Sequence, residues 1–164
     1  MAVILQPTAN KIAKEHFNIT ITNGVPLEII REYVDEEDYE WLCEAYPDRI
    51  ARVWGIKDGK LNVNKYDRID YGDIVLFAAD NEIFMSGKII LKNQNRELAL
   101  RLWGTDLDNN AWKNMYFLTD LREQSVPYTI FNNVVGYDIN ARIQGFTVLD
   151  DRKSNLIINE FGLR

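Results

Sequence analysis

The chain has 164 residues, 46% apolar and 27% charged, with a formal net charge of -6, the balance of a globular domain large enough to bury a full core. Its single cysteine excludes an internal disulfide framework and suits a reducing, cytoplasmic setting. No apolar run approaches the roughly 18 residues that cross a bilayer, and the opening Met1-Ala2-Val3-Ile4-Leu5 lacks the basic lead of a signal peptide, so no membrane partner is expected.

The first fifty residues read as helical. Thr8-Ala9-Asn10 caps a helix reaching Phe17, Pro26 suits the first position of a second helix over 26–33, and Asp35-Glu36-Glu37-Asp38 opens a third. That third helix puts Tyr39, Leu42, Cys43 and Tyr46 on one stripe, with acids at the positive end of its dipole. Trp41 and Cys43 are read as core residues, and Cys43 as no nucleophile. This segment holds ten acids and four bases, so residues 51–164 are neutral overall. The acidic face is expected to point away from any polyanion.

From Arg52 the period changes to that of strands. Arg52-Val53-Trp54-Gly55-Ile56 reads as a strand, closed by a turn at Lys57-Asp58-Gly59-Lys60. Asn62 or Asn64 can cap a short helix reaching Ile69, and Tyr71-Gly72-Asp73 turns into a buried strand over 74–79. Asp80-Asn81 is a hairpin turn into a strand over 83–91. A helix follows over 96–103 with Leu98, Leu102 and Ala99 inward, then a strand over 112–118, and a helix over 127–135 ended by Gly136. A last strand covers 145–149, and residues 150–164 read as a linker or tail. Short strands interleaved with short helices, spaced too tightly for βαβ units, indicate an α+β fold with a small curved or barrelled sheet.

Most catalytic constellations are absent from the sequence. The one histidine, His16, has no motif linking it to a nucleophile and reads as a structural or surface residue. There is no zinc spacing, phosphate loop or dinucleotide fingerprint, and the nearest nuclease-like pair, Glu82 with Lys88, has the wrong interval. No enzyme activity and no cofactor or metal is expected.

Nineteen aromatics remain, among them Trp41, Trp54, Trp103 and Trp112. Trp103 ends a helix and is followed at once by the polar loop Gly104-Thr105-Asp106, where its ring can pack under the loop or present a face to a flat ligand. Stacking on a nucleobase contributes about 1–3 kcal/mol. Asp58, Asn62 and Asn64 follow the first strand closely and can contact a base edge, besides ordinary roles in a turn or cap.

Three stretches resemble the EVE and YTH domains of the PUA-like superfamily: Val53-Trp54-Gly55-Ile56-Lys57, Gly72-Asp73-Ile74-Val75-Leu76-Phe77 and Phe84-Met85-Ser86-Gly87-Lys88-Ile89. With Ile4-Leu5-Gln6-Pro7, Asn10-Lys11, the run Leu98-Ala99-Leu100-Arg101-Leu102-Trp103-Gly104, Trp112-Lys113-Asn114-Met115-Tyr116-Phe117-Leu118 and Ile143-Gln144-Gly145-Phe146, the order is similar to the N-terminal domains of Mcr-type and HNH-type modification-dependent restriction proteins. The likeness spans most of residues 1–150. It implies a PUA-like (EVE/YTH) curved β-barrel over 51–150, flanked by helices, with an N-terminal helical segment over 1–50 packed on the same domain. It implies a reader that flips a methylated base of double-stranded DNA into an aromatic cage, N6-methyladenine favoured over modified cytosine. The partner would be a nuclease or AAA+ GTPase effector, in cis beyond the tail at 151–164 or in trans. The implied base-binding set is Trp103, Trp54, Tyr66, Trp112, Lys57, Asp58, Asn62, Asn64, Ser86 and Gly104, with Trp103 foremost. A second cage tryptophan found in YTH domains is missing, its region holding only Tyr66 and Tyr71. The alternatives are a YTH-type reader of modified RNA, a standalone nucleotide-directed enzyme, and a protein-interaction domain using the acidic helices.

Overall fold

The computed structural model describes residues 1–59 and 61–163; the expected turn residue Lys60 lies outside them. The chain opens with strand β1 (Val3–Pro7) and helix α1 (Lys11–Phe17), whose first turn is capped by the Asn10 side chain accepting from the Ala13 N–H. A π-type turn at Asn18–Asn23 leads through β2 (Val25–Pro26), α2 (Leu27–Ile30) and a 3-10 turn (Arg31–Tyr33) to α3 (Glu36–Ala45), capped by Asp35. Then follow β3 (Ile50–Ala51), β4 (Val53–Ile56), α4 (Asn62–Asp67), β5 (Ile74–Ala79), β6 (Glu82–Gln94) and α5 (Arg96–Trp103). The chain closes with β7 (Asn114–Pro127), α6 (Tyr128–Val135), β8 (Thr147–Val148) and α7 (Asp151–Phe161).

Six strands form one sheet in the order β4-β7-β6-β5-β1-β8, and β2 pairs with β3 in a small ribbon. Only β1 and β5 run parallel; the other pairs of the large sheet are antiparallel. Strands β1, β4 and β5 are buried on both faces, so they are almost continuously apolar rather than alternating. On one face Val3, Leu5, Ile74, Leu76 and Ala78 pack under α6 and α7; on the other Ile4, Val75 and Phe77 join Trp54, Tyr116 and Leu118. A third cluster seats α2, α3 and α5 against Val53, Met115 and Phe117.

The sheet is strongly curled. Ile4 of β1 and Trp54 of the edge strand β4 share one cluster although three strands separate them, and the Tyr116 hydroxyl donates to Gln6 Oε1 across the interior at 3.1 Å. Bulges supply the bend: the register shifts once between β5 and β6 and three times between β6 and β7. The β5–β6 hairpin turns at Asp80 and Asn81, both with positive φ (54° and 65°), as a two-residue turn of the expected kind requires.

Four expectations are corrected. The first fifty residues are not all helical: Val3–Pro7 is a strand inside the main sheet, because its apolar run is buried on both faces. Trp41 is no core residue; its ring is 41% exposed and its indole N–H donates to the Ile90 carbonyl from the surface. Neither Asn62 nor Asn64 caps α4, since the cap position falls on Leu61. The tail is helix α7, capped by Asp150, which buries Ile157, Ile158 and Leu163 and ties itself to β1 where Ser154 Oγ accepts from the Val3 N–H at 3.0 Å.

Ile157 is wholly buried in that packing. Ile157→Ala is expected to cost about 2–5 kcal/mol of unfolding free energy, read by urea denaturation. A loss below about 0.5 kcal/mol would mean α7 is not part of the cooperative core.

Candidate functional site: an aromatic cleft at the sheet seam

The two edges of the curled sheet are β4 and β8, and a cleft of about 580 Å³ opens between them. Its walls come from β4 and the residues after it (Trp54 to Lys57, and Asn62), from Gln144, Gly145 and Phe146 running into β8, from Gln6 and Pro7 ending β1, and from α1. Helix α1 contributes Lys11, Ile12, Ala13 and His16, and Trp112 completes the rim. Among the described lining residues the charged ones are Lys11 and Lys57, and none is acidic.

The aromatic wall is layered. The His16 imidazole, 7% exposed, stacks on Trp103 (centroids 5.4 Å, 20° between planes) and meets Trp112 edge-on at 4.3 Å. Trp103 lies behind it: its ring closes on Gly55 of β4, where an added Cβ would fall 2.5 Å from Trp103 Cζ3 and 2.4 Å from the Trp112 carbonyl oxygen. The indole nitrogens of Trp103 and of Trp54, itself 4% exposed, are buried without a hydrogen-bond partner among the described residues.

The lip is held by charge. Lys57 Nζ lies 2.9 Å from Asp106 Oδ2 and 5.5 Å from the centroid of the Trp112 ring. The other Asp106 oxygen accepts the N–H groups of Asp108 and Asn110, each at 2.9 Å. The Asn110 N–H foremost, and then Lys57, hold the Asp106 carboxyl down to about 2. The carboxylate thus stays ionised at neutral pH, fixing the loop after α5 and the ammonium together. Asn62 Nδ2 donates to the Lys57 carbonyl at 3.2 Å, so α4 steadies the same strand end.

Of the residues singled out by resemblance, Trp54, Trp112, Lys57 and Asn62 line the cleft. Trp103 stands one layer back, against His16. Gly104 ends α5 with φ +72°. Asp58 is engaged by Lys113 at 2.8 Å and by Asn114 Nδ2 at 2.8 Å, and both partners hold its carboxyl low. Tyr66 is buried, donates to the Met115 carbonyl at 2.6 Å and sits under Lys92, while Asn64 is exposed on α4. Ser86 lies on β6 in a separate depression with Gly87, Lys88 and Arg122, and accepts from Gln124. Sequence reasoning assigned no role to His16, Lys11, Gln6, Gln144 or Phe146. Of these, Gln6, Lys11, Gln144 and Phe146 stand in the stretches that carry the resemblance, whereas His16 joins the aromatics solely through tertiary packing.

No protein-family model and no curated protein matches the chain. The fold is PUA-like: α+β, a curved half-barrel flanked by helices. A solved structure that shares it is the N-terminal domain of Thermococcus gammatolerans McrB bound to m5C DNA, with a TM-score of 0.76 over 99% of this chain and 98% of that one, at 14% identity. No helix among the described residues is long and apolar enough to cross a membrane.

Two predictions follow from the layered wall. Gly55→Ala drives a methyl into a carbonyl and an indole at once, and is expected to destabilise the protein by about 1–3 kcal/mol while changing its near-UV circular dichroism. An unchanged melting temperature and spectrum would refute the packing described. Burial lowers the His16 pKa to about 4 from an ordinary 6.5. The folded state therefore binds fewer protons than the unfolded one between those values, and stability falls as pH drops through that window. Against His16→Gln, the wild type should lose roughly 1–2 kcal/mol more between pH 7 and pH 4, after allowance for solvent screening; parallel stability curves would contradict this.

Proposed function

We propose that this chain is the DNA-reading domain of a modification-dependent restriction system, binding a duplex and holding one extruded, modified base in the seam cleft. The observation that carries the reading is the cleft itself, with aromatic walls at Trp54 and Trp112, a lysine-bearing lip and a volume within the 300–1,000 Å³ of small-ligand sites. A base stacked in a duplex cannot reach such a recess, so recognition entails flipping it out. Trp112 stacks on the base, Trp54 backs the floor of the cleft, Trp103 supports the wall from behind, and Lys57 and Asn62 stand where a base edge or phosphate would pass. Lys11 attracts the DNA backbone at the cleft, where the charge of Lys57 is already met by Asp106. The acids of α3 lie outside its lining.

5-Methylcytosine is the first candidate mark, because the McrB domain sharing this fold was solved on m5C DNA. The N6-methyladenine favoured by the sequence resemblance is the second. Burying one methyl group contributes about 0.8 kcal/mol, close to fourfold in affinity. Selectivity beyond fourfold must come from stacking and edge contacts that form only when the marked base is seated. The domain acts by binding, and a nuclease or AAA+ GTPase in the same protein or a partner would cut.

The test is a binding panel of one duplex sequence carrying 5-methylcytosine, 5-hydroxymethylcytosine, N6-methyladenine or no mark, with a matched RNA arm. Selective binding of one marked duplex is expected, and Trp112→Ala should weaken it by about 10–100-fold while sparing weak binding to plain DNA. Equal affinity across the panel, or equal losses for marked and plain duplexes, would refute the reading.

A further inference from the structure

We infer that His16 is the residue that reads the polar edge of the seated base, through a hydrogen bond from an uncharged imidazole at the inner wall of the cleft. The inference rests on the function proposed above and assigns within it a contact that stacking alone cannot supply. Three features of the cleft converge on His16. It lines the cleft, so its small remaining exposure faces the ligand space. Its ring makes two aromatic contacts, no side-chain hydrogen bond holds it among the described residues, and its nitrogens are not among the buried polar atoms left unpaired, so they are open to the cleft. Its orientation is fixed on both sides, by the face of Trp103 and by the edge contact with Trp112.

An imidazole so placed offers one donor and one acceptor in a rigid frame. The Watson–Crick edge of a cytosine presents an amine donor beside ring acceptors, and either can satisfy it. The charge state supports the assignment, since burial keeps the ring neutral at physiological pH and preserves its acceptor. Trp103 then acts as a positioning residue, holding the imidazole rather than touching the base. A ligand that seats in the cleft displaces water from the imidazole nitrogens; the correct edge replaces that hydrogen bond and a mismatched edge does not, which is how a hydrogen-bonding site discriminates.

The chain has one histidine, so its imidazole nitrogens can be followed by ¹⁵N NMR without a variant. Adding the 5-methylcytosine duplex should shift one ring nitrogen and fix one tautomer, while the same duplex with thymine in that place, which carries the C5 methyl on a different polar edge, leaves the signals in place. In parallel, His16→Phe keeps a ring between the tryptophans and removes both nitrogens. It is expected to weaken binding of the 5-methylcytosine duplex about tenfold and to narrow its margin over the thymine duplex, with thermal stability retained or raised. His16→Asn or His16→Gln, which place an amide near one ring nitrogen or the other, should recover part of the loss. Should His16→Phe not fold, the NMR experiment on the wild type still decides. Identical imidazole spectra with the 5-methylcytosine and thymine duplexes, or undiminished discrimination between the two in His16→Phe, would overturn this inference alone. A wild-type chain that binds every duplex equally would overturn it together with the function it rests on.

Discussion

A missing methyl group governs the mouth of the cleft. At Gly55 the edge strand β4 runs so close to the Trp112 carbonyl and the Trp103 ring that no side chain fits. This close approach lets β4 pair with β7 while the α5 terminus and the loop after it fold over its outer side. Trp103 fixes His16, His16 meets Trp112, and Trp112 sits beneath the Lys57 ammonium that Asp106 holds. Each contact is modest, with aromatic pairs contributing about 0.5–1.5 kcal/mol beyond area burial. Together they turn four segments distant in sequence into one wall.

The curl of the sheet supplies the opposite wall. A flat six-stranded sheet would separate β4 from β8 by its full width. The bulges along β5, β6 and β7 bring these edges toward each other, and Tyr116 to Gln6 bridges the interior. The seam does not close by strand pairing, and α1 partly fills it, leaving an opening lined by side chains from both edges. Site and barrel are thus products of the same distortion.

Much of this was legible where the signal is local. Asn10 and Asp35 as caps, Gly136 as a left-handed terminator, the Asp80-Asn81 hairpin and the α5 boundaries depend on neighbours a few residues apart. Strand β7 runs far beyond its apolar start because its polar second half pairs with β6 at the surface, where no hydrophobic signal marks it. Helix α7 escaped notice for the opposite reason: its few apolar residues, Ile157 and Ile158, are hidden in a polar stretch yet placed where the core needs them. In the cleft, Trp54, Lys57 and Asn62 cluster in sequence and could be picked out together, with Trp112 added by resemblance. His16 could not, because nothing near it in sequence indicates that two tryptophans some ninety residues on will enclose it.

The tie between α7 and β1 has an architectural consequence. Val3 donates to Ser154 and its carbonyl accepts from Leu149, so the first and last elements meet on the sheet face opposite the one bearing Trp54 and Phe77. A polypeptide grafted at either end would leave from the rear of the molecule, clear of the opening.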